Sequence, residues 1–346
     1  MPATIKDIAR RVGKSTTTVS RALNDYDDVA AETKQLVRAV ADELGYRPNT
    51  AAQRLQKQSS DTIGLILPTF GPRFSDPFFS EFIAGIGDTA ALVGYDLLVA
   101  TRAPDSAEME TYVSTVRTHR VDGLIVVRTR RKDARIEWLR ASRFPFVAFG
   151  RVEPEGQELD FPYVDEDGAH GMRLIVEHLA ALGHRRVACI APPDDLNFTH
   201  HRLAGVRGAW AALGLPALDL VIVTSDLTQR GGYEQAAALL DGAHPPTAIA
   251  ACNDLMALGA MRAALERGFT VGRDVSVTGF DNIPLAEYSH PPLTTVHQPI
   301  YQIASTLCQM LVRRLHDADA PPEQTVLTPQ LVVRQSTGPP PGSDSR

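Results

Sequence analysis

Cysteine is scarce in this chain: three in 346 residues, Cys189, Cys252 and Cys308, far apart in sequence. They form no Cys-x-x-Cys pair and have no histidine at ligand spacing, which argues against a disulfide framework and a structural zinc site and suggests reduced thiols in a cytoplasm. Long apolar runs are also missing. No window approaches about 18 uninterrupted apolar residues, and the opening MPATIKDIARRVG lacks the basic-then-apolar order of a signal peptide. A soluble, cytoplasmic protein without a membrane partner is expected. Neither GxGxxG nor GxxxxGK[ST] occurs, and there is no nucleophile elbow. His200-His201 near Asp194-Asp195 is the nearest approach to a metal or acid/base cluster, but it has no third ligand at fixed spacing. No catalytic residue, metal or cofactor is expected.

A chain of this length with 44% hydrophobic and 22% charged residues is ordinary for two or three soluble domains. Its charge is uneven. Residues 1–60 carry ten Lys/Arg against seven Asp/Glu, a net of +3, which leaves 25 against 34 for the remainder, a net of −9. A basic head on an acidic body fits a nucleic-acid contact confined to the front end.

Within that head, Thr4-Ile5-Lys6-Asp7 has the form of a helix N-cap. Ile5, Ile8, Ala9 and Val12 then follow with the 3.6-residue period of an amphipathic helix. Gly13 ends it, and Ser15 is placed to cap a second helix through about Asn24, with Val19, Ala22 and Leu23 inward. Two helices across a short glycine-containing turn make a helix-turn-helix. A third helix is expected from about Ala31 to Leu44, with Leu36, Val37, Val40 and Leu44 inward and Gly45 as its stop.

The second helix opens with four β-branched residues, Thr16 to Val19, which helical stability alone would not select. Contact explains them. With the apolar side turned in, Thr16 and Ser20 form one outward stripe and Thr17 and Arg21 the next, where a recognition helix meets the major groove. Threonine offers a hydroxyl to a base edge or phosphate and a methyl to thymine, and Arg21 can reach guanine or a phosphate. The following segment, YRPNTAAQRL, reads as a two-turn helix with one large apolar side chain, Leu55, and would be marginal without a partner.

TIKDIARRVGKSTTTVSRALN, a third helix and YRPNTAAQRL together resemble the DNA-binding head and hinge helix of the LacI/GalR family of bacterial transcription regulators. The resemblance continues to about Gln335. It implies that the hinge helix folds on operator DNA, pairs across a homodimer and wedges Leu55 into the minor groove. Thr16, Thr17 and Arg21 match the family's base-reading positions. Thr4, Ser15, Thr18, Ser20, Asn24 and Tyr46 complete the candidate DNA contacts in the head, and Asn49, Ala52 and Leu55 those in the hinge.

From Thr62 onward, apolar strand-like runs such as TIGLILP, YDLLVA and VDGLIVV alternate with helical stretches. The pattern restarts after Gly156, which predicts two parallel sheets flanked by helices. The expected fold class is therefore an all-α helix-turn-helix head (1–48) and a hinge (49–61) joined to a two-lobed α/β domain (62–337). That domain resembles the periplasmic-binding-protein fold the family shares. The resemblance implies three crossings between lobes, placed near Tyr163, Thr295 and Thr325. Lobe 1 is then 62–162 plus 296–325, and lobe 2 is 163–295 plus 326–337. Residues 338–346 are expected to be disordered. Because this tail lacks an apolar heptad, a dimer is the default assembly.

Ligands of open α/β sheets lie at the carboxyl ends of strands, here in the cleft between lobes. Arg202 matches the family's ligand-clamping arginine, and its planar guanidinium suits vicinal hydroxyls. Asn253 and Asp281 follow strands, and Gln298 lies beside a crossing; each can also act as a helix cap or interlobe bond. Phe78 and Phe79 match ligand-covering positions, and Phe198 and Arg128 complete the set, although RTRRK also reads as a solvated face. Two departures stand out: Gly150-Arg151 occupies the place of an acidic residue found in some sugar-responsive members, and Leu227 that of an aromatic. The expected function is a repressor of carbohydrate-utilisation genes that binds a near-palindromic operator and answers to a small sugar, and the resemblance of DPFFSEF and FVAFGR to family members that respond to glucosides implies a glucoside. The alternatives are a purine or other non-sugar effector, or a solute-binding protein.

Overall fold

The computed structural model describes residues 3–47, 59–68, 76–103, 106–152 and 160–342. The chain forms two units, Met1–Ser59 and Ser60–Arg346.

In the first unit, helices α1 (Ile5–Val12), α2 (Thr16–Leu23) and α3 (Ala31–Glu43) enclose a small core of Ile8, Ala9, Val19, Ala22, Val37, Val40 and Ala41. At the start of α1 the Asp7 carboxylate turns back to accept from the Thr4 amide at 3.0 Å and the Thr4 hydroxyl at 2.7 Å. Gly13 ends α1 at φ 66°, a left-handed conformation that favours glycine. The Ser15 hydroxyl then accepts from the Thr18 amide at 3.0 Å and caps α2. One expectation needs correcting: Leu36 and Leu44 do not face inward but are 48% and 36% exposed. The stripe that meets α1 and α2 runs through Val37, Val40 and Ala41; Leu36 lies a helical step of about 100° to one side of Val37, and Leu44 is already the C-cap. The expected hinge helix, with Asn49, Ala52 and Leu55, lies outside the described residues.

The second unit holds two six-stranded sheets. The first joins β1 (Thr62–Pro68), β2 (Asp96–Arg102), β3 (Gly123–Val126), β4 (Phe146–Phe149), β5 (Tyr163–Glu166) and β11 (Gln324–Leu327), in the order β11-β5-β4-β3-β1-β2. The second joins β6 (Val187–Ala191), β7 (Leu220–Thr224), β8 (Ala248–Ala251), β9 (Ser276–Asp281), β10 (Thr294–His297) and β12 (Gln330–Val332), in the order β12-β10-β9-β8-β6-β7. All pairings are parallel except β10 with β12. Helices α4 (Pro77–Leu92), α5 (Ser106–Arg117), α6 (Ala134–Ala141) and α12 (Ile300–His316) accompany the first sheet. Helices α7 (Gly168–Ala181), α8 (Asn197–Ala212), α9 (Gln229–Leu240), α10 (Asp254–Glu266) and α11 (Pro284–Tyr288) belong to the second. Central strands such as β1, β6 and β8 are buried along their whole length, as a sheet covered on both faces requires.

The crossings fall a few residues later than expected. β5 pairs with β4 and β11 in the first sheet, so the chain leaves lobe 1 after Glu166 and not near Tyr163. β10 stays in the second sheet through His297, and β11 stays in the first through Leu327. An apolar run does not reveal which sheet will accept its hydrogen bonds, so the periodicity could not place these exchanges.

The expected disorder from residue 338 also needs correcting. The Gly338 amide donates to Ser276 Oγ at 3.0 Å, and its carbonyl oxygen lies 2.9 Å from Nε2 of His184, which is 1% exposed. His184 also meets Thr247 Oγ at 2.9 Å and Ser276 Oγ at 3.0 Å. Burial lowers its pKa below the ordinary value. The unfolded chain therefore takes up this proton first as pH falls, and the stability tied to neutral His184 is full above about pH 6.5 and is lost progressively below it. Urea midpoints at pH 7.5 and 5.5 should fall further apart in the native chain than in His184→Gln. Equal separations would show that this ring does not carry the effect.

Candidate effector cleft and nucleic-acid interface

The two sheets turn the carboxyl ends of their strands toward one cleft, whose empty space of about 590 Å³ includes open solvent. Many of the lining residues sit at or just after a strand end: Arg128 and Thr129 after β3, Phe149 and Gly150 at the end of β4, and Asp165 and Glu166 closing β5. From the second lobe come Phe198, Leu227, Asn253, Asp281 and Gln298. All eight residues singled out for the effector, Phe78, Phe79, Arg128, Phe198, Arg202, Asn253, Asp281 and Gln298, line this cleft.

Phe78 and Phe79 start α4 and meet edge to face at 5.3 Å, and Phe149 stacks on Phe78 at 5.9 Å. Each buries most of its surface in the first lobe's core and leaves a margin to the cleft. Arg128 is no solvated residue. Its guanidinium lies over the Phe79 ring at 4.9 Å, donates to the Pro68 carbonyl at 3.2 Å and pairs with Asp76 at 3.4 Å. Nor is the rest of RTRRK simply a solvated face. Arg130 reaches Glu108 at 2.6 Å, and the buried Arg135 farther along joins Glu108 at 2.7 Å and Asp133 at 2.6 Å.

Arg202, 4% exposed, is held on several sides. It pairs with Glu166 at 2.7 Å, donates to the Cys252 carbonyl, lies 3.7 Å from Asp281 and stacks over Phe280 and Phe198 at 3.7 and 4.9 Å. Gln298 Nε2 donates to Asp281 Oδ1 at 2.5 Å. Burial pushes the Asp281 carboxyl well above its ordinary range, against the pull of Arg202, and burial with the neighbouring Glu166 pushes Asp165 up to about 8. Two polar atoms in this wall, Arg202 Nε and Gln298 Oε1, have no hydrogen-bond partner among the described residues. Asn253 is spent on structure: its side chain caps α10 by accepting from the Met256 amide at 2.9 Å and donates to the Leu227 carbonyl at 3.1 Å. Arg128, Leu227 and Asp281 hold positive φ of 52°, 69° and 114°. Such strain costs about 1–3 kcal/mol each and gathers where a site needs a side chain aimed.

Asp76, Phe149, Asp165 and Glu166 went unpredicted. The strand-end rule would have found the last three, because YVDE and FVAF each end a strand. At Gly150-Arg151, where the acidic residue is missing, β5 lies beside β4 and its Asp165 pairs with Arg151 at 3.3 Å.

In the head, Thr16 and Thr17 are exposed on the outer side of α2, and Thr18, Ser20 and Arg21 are half-buried. Thr4, Ser15 and Thr18 serve the caps, and Asn24 Nδ2 donates to the Ser20 carbonyl at 2.9 Å. Tyr46 packs on the small core. Arg21 folds over Tyr26 at 4.8 Å and pairs with Asp28, Nη2 to Oδ2 at 2.5 Å. Residues 4–49 match the model of bacterial regulatory proteins of the lacI family, and residues 176–337 match that of a periplasmic binding protein-like domain. The regulator AglR of Rhizobium meliloti (strain 1021) is 36% identical over 99% of this chain and 96% of its own length.

The chain belongs to the LacI family.

Other members agree along the whole chain. The repressor CytR of Escherichia coli (strain K12) is 35% identical over 97% of this chain and 96% of its own. Among solved structures, the lac repressor dimer bound to operator and the anti-inducer ONPF has a TM-score of 0.84 at 30% identity, covering 98% of this chain and 100% of that one. The regulator CelR in its cellobiose complex has a TM-score of 0.74 at 32% identity, covering 96% and 99%. These LacI-family relatives are DNA-binding transcriptional regulators and not enzymes. Among the described residues, no helix is long and apolar enough to cross a membrane.

Proposed function

We propose that this LacI-family member is a dimeric repressor of carbohydrate-utilisation genes that binds a near-palindromic operator and is controlled by a small sugar in the interlobe cleft. The observation that carries the sugar reading is the composition of the cleft wall. Phenylalanines Phe78 and Phe79 of the first lobe and Phe198 beside Arg202 share the wall with Asp281, Gln298 and Arg202, apolar ring surface together with hydroxyl partners. The cellobiose complex of the related CelR supports the same class of ligand. In the head, exposed Thr16 and Thr17 and the neighbouring Arg21 read bases from the major groove, and Leu55 enters the minor groove at the centre of the operator. Control is a population shift. Closure of the lobes on the sugar changes the spacing of the first lobes across the dimer, which decides whether the hinges pair; the ligand acts only through its different affinity for the two states.

Two measurements test this. A sugar at about 100 times its Kd should raise stability by roughly 2.7 kcal/mol, several degrees in thermal unfolding, within a panel of mono- and disaccharides and purines. A response to a purine and to no sugar overturns the sugar reading and leaves the regulator intact. Leu55→Ala should weaken operator binding by about tenfold or more in fluorescence anisotropy, roughly 1.4 kcal/mol, while its effector affinity stays that of the native chain. Undiminished operator affinity would remove Leu55 from the mechanism.

A further inference from the structure

We propose that Glu166 is a specificity-determining residue that commits Arg202 internally and thereby makes the cleft select uncharged ligands over their phosphorylated or carboxylated counterparts. The inference rests on the proposed effector role of the cleft.

The site contains two guanidiniums that would ordinarily invite an anion, and both are already engaged. Arg202 and Glu166 are paired at 2.7 Å with side chains 5% and 4% exposed, so water does little to screen them. Arg128 is paired with Asp76 at 3.4 Å, with side chains 13% and 21% exposed. These carboxylates balance the two cations one for one. Asp281 Oδ1 lies 3.7 Å from the same Arg202 Nη2 that meets Glu166, with Gln298 Nε2 bonded to it. A phosphate entering here would have to displace Glu166 from Arg202 and would leave that carboxylate buried and unpaired, beside Asp281. A hydroxyl group carries no such penalty. It can donate to a carboxylate lone pair that the ion pair leaves open and accept from a guanidinium N–H without separating the two. Glu166 ends β5 and Arg202 projects from α8 of the other lobe, so the pair that excludes anions also ties the two lobes together.

The test uses matched pairs, each an uncharged compound and its phosphate ester: glucose with glucose 6-phosphate, trehalose with trehalose 6-phosphate, and adenosine with adenosine monophosphate. Thermal unfolding of the full-length chain is read for each. The uncharged member of the responding pair should bind at least about tenfold more tightly than its ester. An ester that binds as well as its parent overturns the inference. Which pair responds decides the carbohydrate reading separately, since a response confined to adenosine would sink that reading and preserve the charge selection. Glu166→Gln should narrow the ratio by about tenfold. Inorganic phosphate provides a readout that does not depend on the effector. The phosphate-induced shift in Glu166→Gln, measured against the native chain at the same concentration, should be larger. Equal shifts would show that Glu166 does not guard Arg202. If the variant fails to fold, the ester-to-parent ratio in the native chain still decides.

Discussion

Arg202→Met is expected to abolish the effector response and to lower the stability of the second unit by about 3–5 kcal/mol, the cost of stranding a buried partner. Methionine fills much of the volume but leaves Glu166 without its cation and the Cys252 carbonyl without its donor. The Glu166 side chain is nearly enclosed, at 4% exposure, so solvent cannot take over. Urea unfolding of Arg202→Met and of the double variant Arg202→Met/Glu166→Gln separates the two effects. The double variant should recover a large part of the stability, since it removes one unpaired charge, yet remain unresponsive to effector. A single variant as stable as the native chain would show that the cluster relaxes or hydrates and that the ion pair matters little to folding.

Gly259→Val is expected to disrupt the second lobe. α9 and α10 pack through glycines: a Cβ at Gly259 would lie 2.0 Å from the Gln229 carbonyl oxygen, and one at Gly232 would lie 2.3 Å from that of Met256. Neither obstacle is a side chain that can swing away, so the helices must part. The loss should exceed about 3 kcal/mol, with a fall of many degrees in thermal unfolding. Leu227 and Asn253 precede these two helices and line the cleft, so surviving protein should also bind effector more weakly. Gly208→Ala is the matched comparison, because an added Cβ there meets nothing within 4 Å; it should be neutral or stabilising by up to roughly 1 kcal/mol. If both variants unfold at the native temperature, close helix approach is not what these glycines provide.

Asn253 shows how far residue type alone can lead. Its type and its place after a strand suit both a hydroxyl partner and a plain helix cap. The structure places it in the cleft wall while spending its carbonyl on Met256 and its amide on Leu227. Glu166 is the converse case. Nothing in YVDE marks it as a partner of Arg202, because the two are 36 residues apart and meet only when β5 and α8 come together.

The helix-turn-helix, its caps, the alternation that builds two parallel sheets and several of the strand ends lining the cleft are legible in the residues alone. Each rests on periodicity or on a capping contact within a few residues, where sequence neighbours are also neighbours in space. Where the chain changes lobes, the hold of His184 and Ser276 on Gly338, and the carboxylate that holds Arg202 emerge only on folding. Those outcomes depend on which strand edge accepts a hydrogen bond and which buried charge lies within a few ångströms of another, and neither is set by distance along the chain.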